Sequence, residues 1–203
     1  MGEETPPSIM AVRKLSILDK EKLISHLKSL KGEERRLRFG GVVTDDYIEH
    51  YVQGSCDVKD NKWFGVEHID DTIVAACHVA IIGEQAELGC SVDLEYRGLG
   101  YAQDMFDRSV TWLRARGVQD VCMHCLAENA IMKHIARKND MAVITESGET
   151  DANVHLDPPT PFVHLIDNYA DRMALYDMIF KNNIRVMRNF IPKYWYDESK
   201  SIT

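Results

Sequence analysis

Val92-Asp93-Leu94-Glu95-Tyr96-Arg97-Gly98-Leu99-Gly100-Tyr101-Ala102 is the stretch that decides how this chain reads. A strand signal runs into a glycine turn, and an amphipathic helix starts at once. Such a junction leaves the first N–H groups of the helix without helical partners, and the helix dipole adds about half a positive charge at the same spot. Gly98 and Gly100 let the backbone approach a ligand that a side chain would push away. Arg97 adds a formal charge beside them, so a phosphate or pyrophosphate is the expected occupant. The spacing is not the six-residue dinucleotide fingerprint, and no Gly-Lys-Ser/Thr follows, which excludes a P-loop. A purely structural strand–helix turn is the alternative on the motif alone.

Working outward, Ala86–Leu94 is the strand that feeds the turn, and Leu99–Arg116 is the helix that leaves it. That helix carries Leu99, Ala102, Met105, Phe106, Val110 and Leu113 as one stripe and is closed by Gly117. Upstream, Met10–Ser16 is a weak first strand. Leu18–Leu30 is a helix with Leu23, Ile24, Leu27 and Leu30 at helical spacing, and Thr44 caps a short helix holding Tyr47, Ile48 and Tyr51. Lys62–His68 and Thr72–Ile82 form a hairpin about Ile69-Asp70-Asp71. Downstream come strand Val121–Leu126, helix Asn129–Lys138 and a closing hairpin of Met141–Ser147 with Ala152–Leu156. The middle of the chain is therefore β-β-β-α-β-α-β-β. Pro158-Pro159-Thr160-Pro161 interrupts the pattern. Leu165, Tyr169, Met173, Tyr176, Phe180, Ile184 and Met187 then continue a helical stripe, with a break expected near Asn182-Asn183. Two segments follow: a domain at 1–157, and a helical extension at 158–203 that packs on that domain or serves a homodimer.

The 203 residues fit one domain of ordinary size, and 45% hydrophobic with 28% charged residues is globular composition. The net charge of −8 argues against nucleic acid, whose phosphates demand a basic face, and suits a cationic partner. No apolar run reaches a membrane span, and the polar, acidic Met1–Pro7 is unlike a signal peptide. Five cysteines, an odd number, point to a reduced, cytoplasmic protein.

Arg97-Gly98-Leu99-Gly100-Tyr101-Ala102, preceded by Ala86–Leu94 and followed by Asn129-Ala130-Ile131-Met132, resembles the GNAT acyltransferase superfamily over about Val12–Leu156. The resemblance implies an α/β fold whose mixed, mainly antiparallel central sheet is flanked by helices. It also implies a splay between the fourth and fifth strands, here Ala86–Leu94 and Val121–Leu126, into which acetyl-CoA enters. Backbone groups of Val92 and Leu94 would pair with the pantetheine, and the amides from Arg97 to Ala102 would hold the pyrophosphate. Asn129 matches the asparagine that faces the cofactor arm; a simple N-cap is its other reading.

Transfer of acetyl to a primary amine requires a deprotonated amine, a polarised thioester carbonyl and a departing thiolate. Backbone N–H groups near Val92 are candidates for the carbonyl. Glu87, which resembles a glutamate common at that position, is the first candidate for the base and His78 the second; a solvated strand-end charge and a structural histidine are the alternatives. The tyrosine that many relatives place seven residues after the asparagine is Ala136 here, and the following Gly-aromatic pair is Asp140-Met141, so no general acid follows by analogy. His134 and Tyr101 are its neighbours in sequence. Direct transfer without a covalent intermediate is the expected route, because no nucleophile–base pair stands out.

Cys122-Met123-His124-Cys125 invites a zinc or redox reading, but alternation along a strand turns Cys122 and Cys125 to opposite faces, and no metal is expected. Arg35-Arg36-Leu37-Arg38 beside Glu33-Glu34 is a balanced surface run or a grip on the cofactor's adenosine phosphate. No Ser-His-Asp signature occurs. Phe190, Tyr194, Trp195 and Tyr196 either close over a substrate or plug the surface. The acidic segments Asp45-Asp46, Asp70-Asp71 and Glu146–Asp151 suit a basic small molecule, a lysine or an N-terminal amine as acceptor. The rival reading is an acyl-CoA-binding regulatory or assembly module with little turnover.

Overall fold

The structure is a computed structural model that describes residues 10–56 and 58–190. One seven-stranded sheet in the order β1-β2-β3-β4-β5-β7-β6 organises it. The strands are β1 (Val12–Lys14), β2 (Asn61–Glu67), β3 (Ile73–Ile82), β4 (Gln85–Val92), β5 (Asp120–Leu126), β6 (Ala142–Glu146) and β7 (Glu149–His155). All neighbours pair antiparallel except β4 and β5, which run parallel.

Alternation along the strands sends side chains to two helical layers. On one face Phe64, Val79 and Leu88 pack with Met105, Phe106, Trp112 and Leu113 of α4 (Tyr101–Arg114) and Ile135 of α5 (Ala130–Lys138). On the other, Leu15, Trp63 and Ala76 pack with Leu23, Ile24 and Leu27 of α1 (Lys20–Ser29) and Ile48 and Val52 of α3 (Asp45–Ser55). The α1 stripe read from sequence is buried as expected, each such side chain contributing about 1.5–3 kcal/mol. Thr44 caps α3 by accepting from the Tyr47 amide.

Three local expectations are corrected. The Arg35–Arg38 run, to which the sequence reading gave no element, is part of a further helix, α2 (Glu33–Phe39), which touches both β4 and β5. The strand expected to reach Leu94 ends at Val92: the Asp93 amide donates to Val74 O, and Leu94–Tyr96 turns into a short 3-10 segment. The extension is one unbroken helix, α6 (Pro161–Phe190), straight through Asn182 and Asn183. Its length and its anchoring account for that. Val163 and Ala174 are buried, Asp167 and Asp171 pair with Arg108, and Lys181 donates to Glu67 O. Met1–Pro7 and the aromatic positions Tyr194, Trp195 and Tyr196 lie outside the described residues.

Candidate active site

The sheet opens where its only parallel pair comes apart. β4 and β5 are in register only over Gln85–Glu87 against Asp120–Cys122. Beyond that, β5 continues its ladder with β7 and β4 continues with β3, so the β5-facing edge of Leu88–Val92 is left without a strand. A cavity of about 530 Å³ occupies the gap. It is lined by Cys90–Val92, by the glycine turn, by the start of α5 and, from the side, by Glu34, Leu37 and Arg38 of α2.

The glycine turn has the form the sequence implied. Gly98 and Gly100 have φ of +78° and +90°, a left-handed conformation that disfavours any Cβ, and the space over each is open to at least 4 Å. Gly100 is the N-cap of α4 and offers no side chain to its amides. The N–H groups of Ala102 and Gln103 thus have no helical acceptor and no capping side chain, and both residues line the cavity, the geometry of an anion site. Arg97 stands beside them, its Nε donating to Val92 O (3.2 Å) and its Nη2 2.7 Å from Glu34. Asn129 caps α5, its Oδ1 accepting from the Met132 amide (3.1 Å), while Nδ2 donates to Leu37 O (3.4 Å).

Of the residues singled out from sequence, Val92, Arg97, Gly98, Gly100, Tyr101, Ala102 and Asn129 line this one cavity. Leu94 and Leu99 do not line it and are exposed. Tyr101 lines it but is otherwise buried in the core. Glu87 lies at the root of the splay, half-buried and opposite Cys122 in the parallel ladder, whose thiol it helps to raise after burial. His78 is buried on the α1 face, stacked on Trp63 at 4.5 Å, with Nδ1 2.7 Å from Tyr51 Oη. Burial, and then the nearby Arg38 guanidinium, push its pKa down to about 3, so the ring is neutral at physiological pH. Ala136 is fully buried in the core and places no polar atom in the gap.

Sequence reasoning missed two groupings. Arg38 reaches in under β4, where only Gly89 leaves room: a Cβ there would sit 2.9 Å from Arg38 Nη1. Its guanidinium also lies over the Phe39 ring and donates to Tyr51 Oη. The second grouping overturns the expectation that no nucleophile–base pair is assembled. Ser91 Oγ is 2.9 Å from His26 Nε2, and His26 Nδ1 is 3.0 Å from Asp93 Oδ1 without completing a hydrogen bond. Sixty-five residues separate Ser91 from His26, so no motif could reveal the pair. The available signal was the i, i+2 spacing of Ser91 and Asp93 where the strand runs into the turn. Among the described residues no group of three or more His, Cys, Asp or Glu is arranged to hold a metal, and no helix is long and apolar enough to cross a membrane.

A splayed sheet whose free strand edge leads to an uncapped helix start defines a class of proteins that bind an extended, phosphate-bearing carrier. The sequence matches the acetyltransferase (GNAT) domain family over residues 11–142, and the chain belongs to that family of acyltransferase enzymes. The GNAT domain of PAT from S. lividans is similar in fold, with a TM-score of 0.62 at 19% identity, covering 71% of this chain and 89% of that one. The PaiA N-acetyltransferase of Thermoplasma acidophilum, in complex with coenzyme A, gives 0.56 at 19% identity over 73% and 99%. RimL, a ribosomal L7/L12 alpha-N-protein acetyltransferase in complex with coenzyme A, gives 0.60 at 17% over 75% and 97%. A search of curated proteins found no match.

Proposed function

We propose that this enzyme transfers acetyl from acetyl-CoA to a primary amine, by direct attack while both substrates are bound. The observation that carries the reading is the continuity of one cavity from the open β4 edge to the uncapped N-terminus of α4. An extended pantetheine fits a strand edge that lacks its neighbour, as peptides do when they add a strand to a sheet. A pyrophosphate fits the Ala102 and Gln103 amides, with open space over Gly98 and Gly100 where a Cβ would intrude. Acetyl-CoA supplies the activated thioester; free backbone amides on β4 supply donors to the carbonyl oxygen as negative charge develops there.

Glu87 is the proposed base for the amine, directly or through water, because it sits half-buried where the two strands part. His78, neutral and hydrogen-bonded to Tyr51, holds its proton too weakly to serve at neutral pH. Direct transfer is supported by the state of the cavity's cysteine: the hydrogen bond to Cys77 and burial raise the Cys90 pKa well above the usual thiol value, which keeps Cys90 a poor nucleophile. A basic small molecule, a protein lysine or an N-terminal amine is the proposed acceptor, since Glu21, Asp70, Asp93 and Glu95 surround the neighbouring cavity. The unbridged Cys77, Cys90, Cys122 and Cys125 support a cytoplasmic setting.

α6 supports a homodimer. Phe162, Ile166, Tyr169, Met173, Tyr176, Phe180, Asn183 and Met187 alternate by four and three residues, a heptad seam, and all are exposed. A second copy carries the same seam and so matches it in length and spacing.

Ala136 and the α6 seam favour one rival, an acyl-CoA-binding module that assembles without turnover. Release of CoA thiol during incubation with acetyl-CoA and an amine panel separates the two: a transferase releases it only with a suitable amine, and a sensor binds CoA without releasing acetyl.

A further inference from the structure

We propose that Ser91, His26 and Asp93 form the proton relay that reprotonates the departing CoA sulfur, with Ser91 the catalytic residue and His26 and Asp93 its positioning residues. The inference rests on the acetyl-CoA reading above and supplies the general acid that Ala136 leaves missing.

Geometry carries it. Ser91 lines the splay cavity on β4 between Cys90 and Val92, the segment whose free edge takes the cofactor arm. The neighbouring Cys90 turns its Sγ away to Cys77, at 2.6 Å, while the Ser91 hydroxyl, which also donates weakly to Ala76 O at 3.4 Å, is the oxygen donor that β4 side chains bring to this wall. Behind it His26 is 97% buried, a large desolvation for an imidazole that serves only packing. Its Nε2 meets Ser91 Oγ at 2.9 Å and its Nδ1 meets the Asp93 carboxylate at 3.0 Å. His26 and Asp93 also line a second cavity, of about 580 Å³, with Glu21, Asp70 and Glu95. The Ser91–His26 hydrogen bond thus joins the cofactor cavity to a separate acidic one through which solvent protons return.

The balance is as follows. The amine nitrogen bonds to the carbonyl carbon and its proton leaves to Glu87 or to water. The C–S bond breaks and its electron pair stays on sulfur. Ser91 Oγ gives its proton to that sulfur, and His26 Nε2–H gives its own to Ser91. The proton that His26 gives up is replaced at Nδ1, which faces Asp93, from water in the second cavity. The net change moves one proton from amine to thiol.

The test compares the wild-type protein with Ser91→Ala, His26→Gln and Asp93→Asn. Calorimetry with CoA checks that each variant is folded. Acetyl transfer is followed against pH, and the ionisation of protein-bound CoA thiol is followed by its ultraviolet thiolate absorbance. Ser91→Ala and His26→Gln are expected to lower kcat about 100-fold with CoA affinity within about twofold, the range of a general acid. The pH profile of kcat is expected to change shape in His26→Gln and in Asp93→Asn, as it must if these groups pass the proton. Bound CoA thiol should ionise at lower pH in the wild type than in Ser91→Ala. Unchanged kcat and unchanged thiol ionisation in variants that still bind CoA would overturn the relay alone. A wild-type protein that takes up no CoA would overturn the acetyl-CoA reading beneath it.

Discussion

Arg97 and Glu34 meet at 2.7 Å across the mouth of the splay, tying the glycine turn to α2. The same guanidinium donates to Val92 O, at the strand edge the cofactor arm needs. On the far side Arg36 of α2 pairs with Glu128, and Asn129 donates to Leu37 O. α2 therefore bridges both lips of the gap, and Arg97 is shared between a carboxylate and the anion site it borders. Exposed pairs of this kind are worth about 0–1 kcal/mol, so a bound pyrophosphate can recruit the arginine at small cost. Glu34→Gln is expected to tighten CoA binding by about two- to fivefold, and Arg97→Ala to weaken it by about tenfold, as one charge-assisted contact is lost. Calorimetric titration checks both; equal and opposite results would contradict the shared role.

His78 gives the fold a pH dependence with a definite sign. Its folded pKa is about 3 against 6.5 for a free histidine, so between those values the unfolded chain binds a proton that the folded chain does not. Stability therefore rises with pH across that window and is lost on acidification. By linkage, going from pH 7.5 to pH 5 removes about 2 kcal/mol. Denaturant melts at the two pH values measure it. His78→Gln, which keeps an acceptor for Tyr51 and removes the proton site, is expected to flatten that part of the profile.

The α6 seam predicts a concentration-dependent dimer. Tyr176→Glu with Phe180→Glu places charges in the middle of the seam while leaving Val163, Ala174 and the Arg108–Asp167 pair in place. Sedimentation equilibrium is expected to show a dimer for the wild type and a monomer for the double variant, with acetyl transfer retained. A wild-type monomer at the highest attainable concentration would contradict the assignment.

What the sequence disclosed, and what it withheld, follows the range of the interactions involved. The glycine turn, the Thr44 cap and the α1 and α4 stripes are local patterns, and each places its element to within a few residues. Helix α2 escaped notice because Glu33–Phe39 is charged and has no fully buried residue; its order comes from pairs made at a distance, to Arg97 and Glu128. β4 stops at Val92, two residues short of the sequence reading, because Leu94–Tyr96 turns into a 3-10 segment directly after the last ladder bond, from Asp93 N to Val74 O. His26 was invisible as chemistry because its partners, Ser91 on β4 and Asp93 in the turn after it, lie far along the chain. The residues proposed to face the cofactor lie mostly in one contiguous motif and could be read; those proposed to handle protons are brought together by packing and could not.

Backbone strain sets a separate expectation for the turn. Forcing a Cβ onto Gly100, with φ of +90°, costs about 1–2 kcal/mol of folding stability whether or not ligand is present. Gly100→Ala is expected to lower the urea midpoint by the corresponding amount while leaving α4 helical, as read by circular dichroism. An unchanged midpoint would mean that the turn relaxes to another conformation.

Calorimetric uptake of coenzyme A by the wild-type protein and by Gly98→Asp tests the central claim most directly. Carrier binding by the open β4 edge and the bare start of α4 requires saturable one-site binding in the wild type. It also requires at least a tenfold loss when a carboxylate enters the open space over Gly98, because that charge opposes the diphosphate. Absence of binding to the wild type, or equal binding to a folded Gly98→Asp protein, would contradict it.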